Sequence, residues 1–175
     1  MRSARWVIGA AALASAHGAA AQPTSASASA TGSATVIQPI TLSKTSDLAF
    51  GAIVRPSLGA NTVTVDALSG ARTITGTGDA ALTTNQTVSR ATYAVGGEGG
   101  AAFSITVPGS FTMTRAGGGE TLPVALTASV PSGSLSGSTG SAGSANFSVG
   151  GSLPLSTATV AGDYTGTFDV TVGYN

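Results

Sequence analysis

The last part of the chain, residues 161–175 (AGDYTGTFDVTVGYN), carries the clearest structural signal in the sequence. Every second residue from Tyr164 belongs to a mostly apolar set, and polar residues, chiefly Thr, lie between them. Successive side chains of a β-strand point to opposite faces, so this alternation predicts an amphipathic strand. An unbroken strand from Tyr164 to Tyr174 would be about 33 Å long at roughly 3.3 Å per residue. Such a strand must bury its apolar face against the rest of the chain.

The remaining sequence also favours strands. It contains 25 glycines among 175 residues, no cysteine and 8% charged residues, and it has no long stretch with helical periodicity. About nine short β-rich runs, separated by turn signals, predict an all-β fold at the spacing of an immunoglobulin-like β-sandwich. The length suits one domain. A formal net charge of zero argues against nucleic-acid binding, which needs a basic surface.

The first 21 residues have the features of a secretory signal peptide. Two arginines precede the apolar run Trp6–Ala16, and small residues follow up to Ala21. The predicted cleavage lies between Ala21 and Gln22. The apolar run is too short to anchor the chain in a bilayer. The mature chain is therefore expected to be exported, without a membrane-spanning helix, and to carry five positive and seven negative residues.

Residues 22–38 are predicted to be an N-terminal extension, ahead of a β-domain over residues 39–175. The extension is rich in Ser and Ala, as flexible linkers are. Its even positions are nevertheless apolar, which is strand periodicity built from small side chains. These positions are the candidate donor-strand residues Ala26, Ala28, Ala30, Gly32, Ala34 and Val36. A linker and a strand that forms on an acceptor both remain open from the residues alone.

Two Gly-rich segments are predicted to lack regular strands. Residues 131–145 are almost entirely Ser and Gly and are expected to form a mobile surface loop. The pair Gly150–Gly151 interrupts an apolar run and predicts a bulge or a hairpin turn.

No pattern in the mature sequence predicts an enzyme, a metal site or a cofactor. It has neither cysteine nor histidine, because the sole histidine, His17, lies in the leader, which excludes the corresponding nucleophile–base pairs. Its acids are scattered, and Glu98 and Glu120 are expected to be solvated or turn-forming residues in glycine loops.

The two ends of the mature chain resemble chaperone–usher pilins. Gly162 is fourteenth from the end of the sequence and Tyr174 is penultimate, as in the C-terminal strand of that family. The segment SATVIQPITL resembles the donor region of pilins of the colonisation-factor type. The resemblance implies an acceptor groove along the last strand, at Gly162, Tyr164, Phe168, Val170, Val172 and Tyr174. The alternative for this strand alone is an ordinary last strand of a β-sandwich.

Internal motifs are also similar to a secreted domain-of-unknown-function family of Gram-negative bacteria. The motifs are LAFG at 48–51, FSVGGSLPL at 147–155 and the C-terminal segment. This resemblance brings no catalytic residues.

Together these features lead us to expect an incomplete β-sandwich that a donor strand from a neighbouring subunit completes. The expected function is a structural subunit of a pilus or fimbria that supports surface attachment. The implied partners are identical subunits, a periplasmic chaperone and an outer-membrane usher, and the implied location is the periplasm in transit, then the cell surface. The alternative is a self-contained secreted β-sandwich, either an envelope protein or a carbohydrate-binding module.

Overall fold

A computed structural model describes residues 24–175, so the predicted cleavage site at Ala21 and Gln22 lies outside the described residues. Within this range the chain is all-β, which confirms the predicted fold class, and no helix is long and apolar enough to cross a membrane. The strands are β1 Thr41–Ser46, β2 Ile53–Val54, β3 Ala60–Val65, β4 Arg72–Gly76, β5 Ala81–Leu82, β6 Ala91–Glu98, β7 Ala102–Thr106, β8 Ser110–Arg115, β9 Thr121–Ala128, β10 Ser132–Ser134, β11 Ala142–Ser156, β12 Tyr164–Thr165 and β13 Thr171–Tyr174.

The chain divides into two units, Met1–Thr35 and Val36–Asn175. The described part of the first unit, residues 24–35, contains neither helix nor strand, and its side chains are exposed. All thirteen strands belong to the second unit.

The strands of the second unit form antiparallel sheets, consistent with a β-sandwich. The large sheet has the order β1-β6-β11-β9-β8-β12, and β3 joins it by pairing with both β11 and β4. A three-stranded sheet has the order β10-β7-β13, and β2 pairs with β5. The immunoglobulin-like strand order stays a prediction.

Strand β11 is the centre of this arrangement and corrects the prediction for Gly150–Gly151. Its first half pairs with β6 over residues 142–149, and its second half pairs with β3 over residues 151–156. The glycine pair is therefore neither a hairpin turn nor a bulge in the pairing with β9, but the point at which one long strand changes partner from β6 to β3. A Cβ atom at Gly150 would collide with the carbonyl oxygen of Val65 and lie 2.6 Å from the amide nitrogen of Ala67. Glycine lets the two backbones approach this closely.

The Ser- and Gly-rich segment is also more ordered than its composition suggests. Residues 132–134 form β10, and β11 already begins at Ala142. Leu135 lies in the loop between β10 and β11 and is only 3% exposed, so its side chain anchors this loop in the core. The prediction of a loop over residues 131–145 was therefore wrong at residues 132–134 and 142–145.

The core is built from the alternate residues of the central strands. Tyr93 on β6 and Phe147 on β11 occupy facing positions, and their rings stack with centroids 5.1 Å apart. The buried apolar side chains are Phe50, Val63, Val65, Ala91, Tyr93, Val95, Phe103, Val124, Leu126, Leu135, Phe147, Val149, Leu153 and Leu155. A further set of apolar side chains packs against this core while only partly buried, and it includes Phe168, Val170, Val172 and Tyr174 from the end of the chain.

We expect Gly150→Ala to lower the free energy of unfolding by about 1–3 kcal/mol, the usual cost of overpacking. The obstructing atoms at this position are backbone atoms, which cannot move aside as a flexible side chain does. The matched control is Gly119→Ala, where an added Cβ meets no atom within 4 Å. Denaturant unfolding measures both variants, and equal stabilities would contradict the proposed role of Gly150.

Candidate functional site

The first and last strands of the second unit do not pair with each other. β1 ends the large sheet at one side, β12 ends it at the other, and β13 ends the three-stranded sheet. No strand pairing between β1 and either β12 or β13 occurs in residues 24–175. We call the boundary between residues 40–54 and residues 162–174, which no strand pairing crosses, the seam. Unpaired strand edges of this kind are sites at which another chain adds a strand.

The last strand is interrupted where it borders the seam, so the prediction of one unbroken strand from Tyr164 to Tyr174 was wrong. β12 pairs with β8, β13 pairs with β7, and residues 166–170 lie between them in no ladder. Within the described part of the chain, no backbone hydrogen bond joins residues 166–170 to another segment. Gly166, Thr167 and Asp169 are exposed, and Phe168 and Val170 are half-buried, so water can satisfy these backbone groups and an added strand could take its place.

The predicted alternation of side chains persists through this interruption. The apolar members of the set, Tyr164, Phe168, Val170, Val172 and Tyr174, are all half-buried, whereas Gly162 is exposed. Phe168 packs on Phe111 of β8 with ring centroids 5.0 Å apart. The side chains thus reach the core although the main chain between β12 and β13 is unpaired.

A groove opens along the Tyr164 end of the seam. Its volume is about 520 Å³. One wall is the segment 48–55 that follows β1, and the other is the segment 159–165 that leads into β12. The floor consists of the apolar side chains Met113, Leu122, Leu153 and Leu155. Because Leu153 and Leu155 belong to the core, the groove is an opening into the core and not a surface dimple.

Arg55 joins the two walls at one end of the groove. Its guanidinium donates hydrogen bonds to the carbonyl oxygens of Thr157 and Thr159, at 2.9 and 3.2 Å. Arg72 holds the first wall in place, because its guanidinium donates hydrogen bonds to the carbonyl oxygens of Phe50 and Ala52 at 2.7 and 3.2 Å. These bonds keep the walls in place without filling the space between them.

The opposite end of the seam is closed by Glu98 and Tyr174. The Tyr174 hydroxyl donates to the carbonyl oxygen of Gln38 at 2.8 Å and accepts the Glu98 N–H at 2.7 Å. The Glu98 carboxylate accepts the N–H groups of Gly140 and Gln38, the latter at 3.1 Å. These two hydrogen bonds, that from Gly140 first, lower the pKa of Glu98, because they stabilise its charged form.

Glu98 is not the solvated or turn-forming loop residue that the glycines around it predict. The side chain lies at the end of β6 and is only 3% exposed. The surrounding glycines suggested a loop, but they provide space for the Tyr174 hydroxyl, which a side chain at Gly97 would meet. Neither Glu98 nor Arg55 stood out in the sequence, since a lone charged residue between small residues carries no pattern.

The predicted donor-strand residues divide between the two units. Ala26, Ala28, Ala30, Gly32 and Ala34 belong to the first unit and lie in neither helix nor strand. Val36 begins the second unit and is 92% exposed.

The other acids have local structural roles. Asp66 accepts the Ser69 hydroxyl and the N–H groups of Leu68 and Ser69 within one turn. Asp79 accepts hydrogen bonds from Ser57 and from the Leu58 N–H, and the Ser57 hydroxyl is the main reason that its pKa falls to about 2.

Glu120 pairs with Arg115 at 2.7 Å. In residues 24–175 no three potential metal ligands lie together.

The fold and the groove together define an all-β domain with an open edge. The chain belongs to the family described as "Domain of unknown function (DUF4402)", whose model matches residues 40–174. Comparison with curated proteins and with solved structures gives no match.

We expect Glu98→Gln to weaken the pH dependence of the free energy of unfolding in the acidic range. The folded pKa of Glu98 is below its ordinary 4.5, so the carboxylate stabilises the fold above about pH 4.5 and loses this effect as pH falls through the lowered value. The measurement is the free energy of unfolding from pH 7 to pH 2.5. The variant should be less stable at pH 7 and lose less stability on acidification, and an unchanged profile would contradict the assigned hydrogen bonds.

Proposed function

We propose that the protein is a structural subunit of an extracellular pilus or fimbria that polymerises by donor-strand complementation and supports surface attachment. The single observation that carries this proposal is the seam, where an apolar groove leads into the core beside five residues of unpaired main chain. A strand placed there would cover the core side chains and supply partners for the main chain.

The proposed donor is residues 26–36 of another copy. Its small apolar side chains alternate with Ser and Thr, so one face would enter the seam and the other would face water. Ten residue steps from Ala26 to Val36 span about 33 Å when extended, so the donor is long enough to run past the five unpaired residues 166–170.

This contact would produce a filament by symmetry alone. The donor lies at one part of the subunit and the acceptor at another, so the interface is heterologous. Repetition of a heterologous contact that does not close on itself gives an open chain of subunits. The same exposed edge is an aggregation hazard before assembly, which supports the proposal of a periplasmic chaperone and an outer-membrane usher as further partners.

We also propose that the chain is exported and that its role involves no catalysis. The leader over residues 1–21 would direct the chain to the periplasm, and the assembled subunits would lie at the cell surface. The protein would act by binding its own copies and not by chemistry, with no cofactor.

We expect Ala30→Asp to abolish filaments and Ser29→Asp to leave them largely intact. The first substitution places a charge on the face that would enter the apolar seam, where an unpaired charge costs several kcal/mol. The matched control puts the same charge one residue away, on the face directed to water. Negative-stain microscopy and gels of unheated samples measure filaments and ladders of subunits.

Equal behaviour of the two variants would contradict donation by an alternating strand. A wild-type chain that stays a monomer under all assembly conditions would favour the alternative, a self-contained secreted β-sandwich that serves as an envelope protein or carbohydrate-binding module.

A further inference from the structure

We propose that Glu98 and Tyr174 form a clasp on Gln38, and that the clasp presents Val36 as an apolar anchor for the groove of a second copy. The clasp is a property of the single subunit. The identity of the partner rests on the function proposed above.

The clasp occupies both backbone polar groups of Gln38. Its N–H donates to the Glu98 carboxylate at 3.1 Å, and its carbonyl oxygen accepts the Tyr174 hydroxyl at 2.8 Å. A residue held at both its donor and its acceptor cannot rotate freely about its backbone. Gln38 is therefore fixed immediately before Pro39, whose ring restricts the next φ angle as well.

The clasp is itself held in place by hydrogen bonds to the sheet. The Tyr174 hydroxyl accepts the Glu98 N–H at 2.7 Å, and the Glu98 carboxylate also accepts the N–H of Gly140. Three segments thus meet at Glu98, which ends β6: Gln38, Tyr174 at the end of β13 and Gly140 in the loop before β11. In the described part of the chain no buried side-chain polar atom lacks a partner, and fully satisfied networks of this kind are rigid.

The clasp leaves two large apolar side chains outside the fold. Val36 is 92% exposed and Ile37 is 48% exposed. Val36 is also the one large side chain on the apolar face of the proposed donor, where the other members are Ala and Gly. Burial of apolar area scales with side-chain size, so Val36 would contribute more to a contact through that face than any other member.

The groove offers the complementary surface. Its floor of Met113, Leu122, Leu153 and Leu155 is apolar and lies near Tyr164, whereas the opposite end of the seam is already closed by the clasp. A valine side chain has no polar atom, so it would bring no unpaired polar group to this floor. We therefore place Val36 of one copy in the groove of the next.

Amide hydrogen exchange on the full exported chain under monomeric conditions tests the clasp. Glu98→Gln keeps one acceptor oxygen for two N–H donors, so it should speed exchange of the Gln38 amide, the Gly140 amide or both. Tyr174→Phe should speed exchange of the Glu98 amide, and each loss of one hydrogen bond should change the rate by about fivefold or more. The ring and the strand are kept in both variants, so amides in β3 should not change. Unchanged exchange at both Gln38 and Gly140 in Glu98→Gln would overturn the clasp.

The critical concentration for assembly tests the anchor. Val36→Ala removes two methyl groups from an exposed residue and should raise that concentration about tenfold. Leu58→Ala is the control, because Leu58 is 71% exposed but does not line the groove. Tyr174→Phe removes the hydroxyl that holds Gln38 but leaves Val36 unchanged, and it should raise the critical concentration severalfold.

The possible results separate the two proposals. Filaments that assemble equally well with Val36→Ala and Leu58→Ala would overturn the anchor and leave donor-strand assembly standing. Failure of the wild-type chain to assemble would overturn the proposed function and the anchor together, while the exchange data would still decide the clasp.

Discussion

The feature that most constrains this structure is a stretch of main chain that pairs with none of the domain's own strands. β11 gathers β6, β9 and β3 into one continuous sheet, but the first and last strands of the domain, which border the seam, do not pair with each other. Backbone groups without a strand partner and side chains of the core lie along this seam, and apolar core side chains are costly to expose. The groove, the half-buried C-terminal side chains and the clasp at Gln38 all lie along it. A function that supplies a strand to the seam would account for these features together.

The parts of the fold that the sequence predicted are those with a local period. Alternation from Tyr164 to Tyr174 correctly identified which side chains would turn towards the core, because strand side chains alternate regardless of pairing. It failed to predict the break at residues 166–170, because the last strand changes partner from β8 to β7 there. Partner choice depends on the arrangement of distant strands, which periodicity does not encode.

Other features depend on distant contacts and had no sequence signal. Gly150–Gly151 looked like a turn, since composition does not distinguish a glycine that reverses the chain from one that lets another backbone approach. Glu98 looked solvated, although its burial rests on Gln38, Gly140 and Tyr174, which are far apart in sequence. The walls of the groove, at residues 48–55 and 159–165, are likewise brought together only by the fold.

Donor-strand assembly requires that the unpaired main chain at residues 166–170 receives a strand from another copy. The most direct measurement is amide exchange at these residues in the monomeric full chain, with and without a peptide covering residues 25–38. If a strand is donated, exchange of at least alternate amides slows when the peptide is added. A peptide with Ala28, Ala30 and Ala34 replaced by aspartate should have no effect. Exchange that is equally fast with both peptides would rule out donation at these residues.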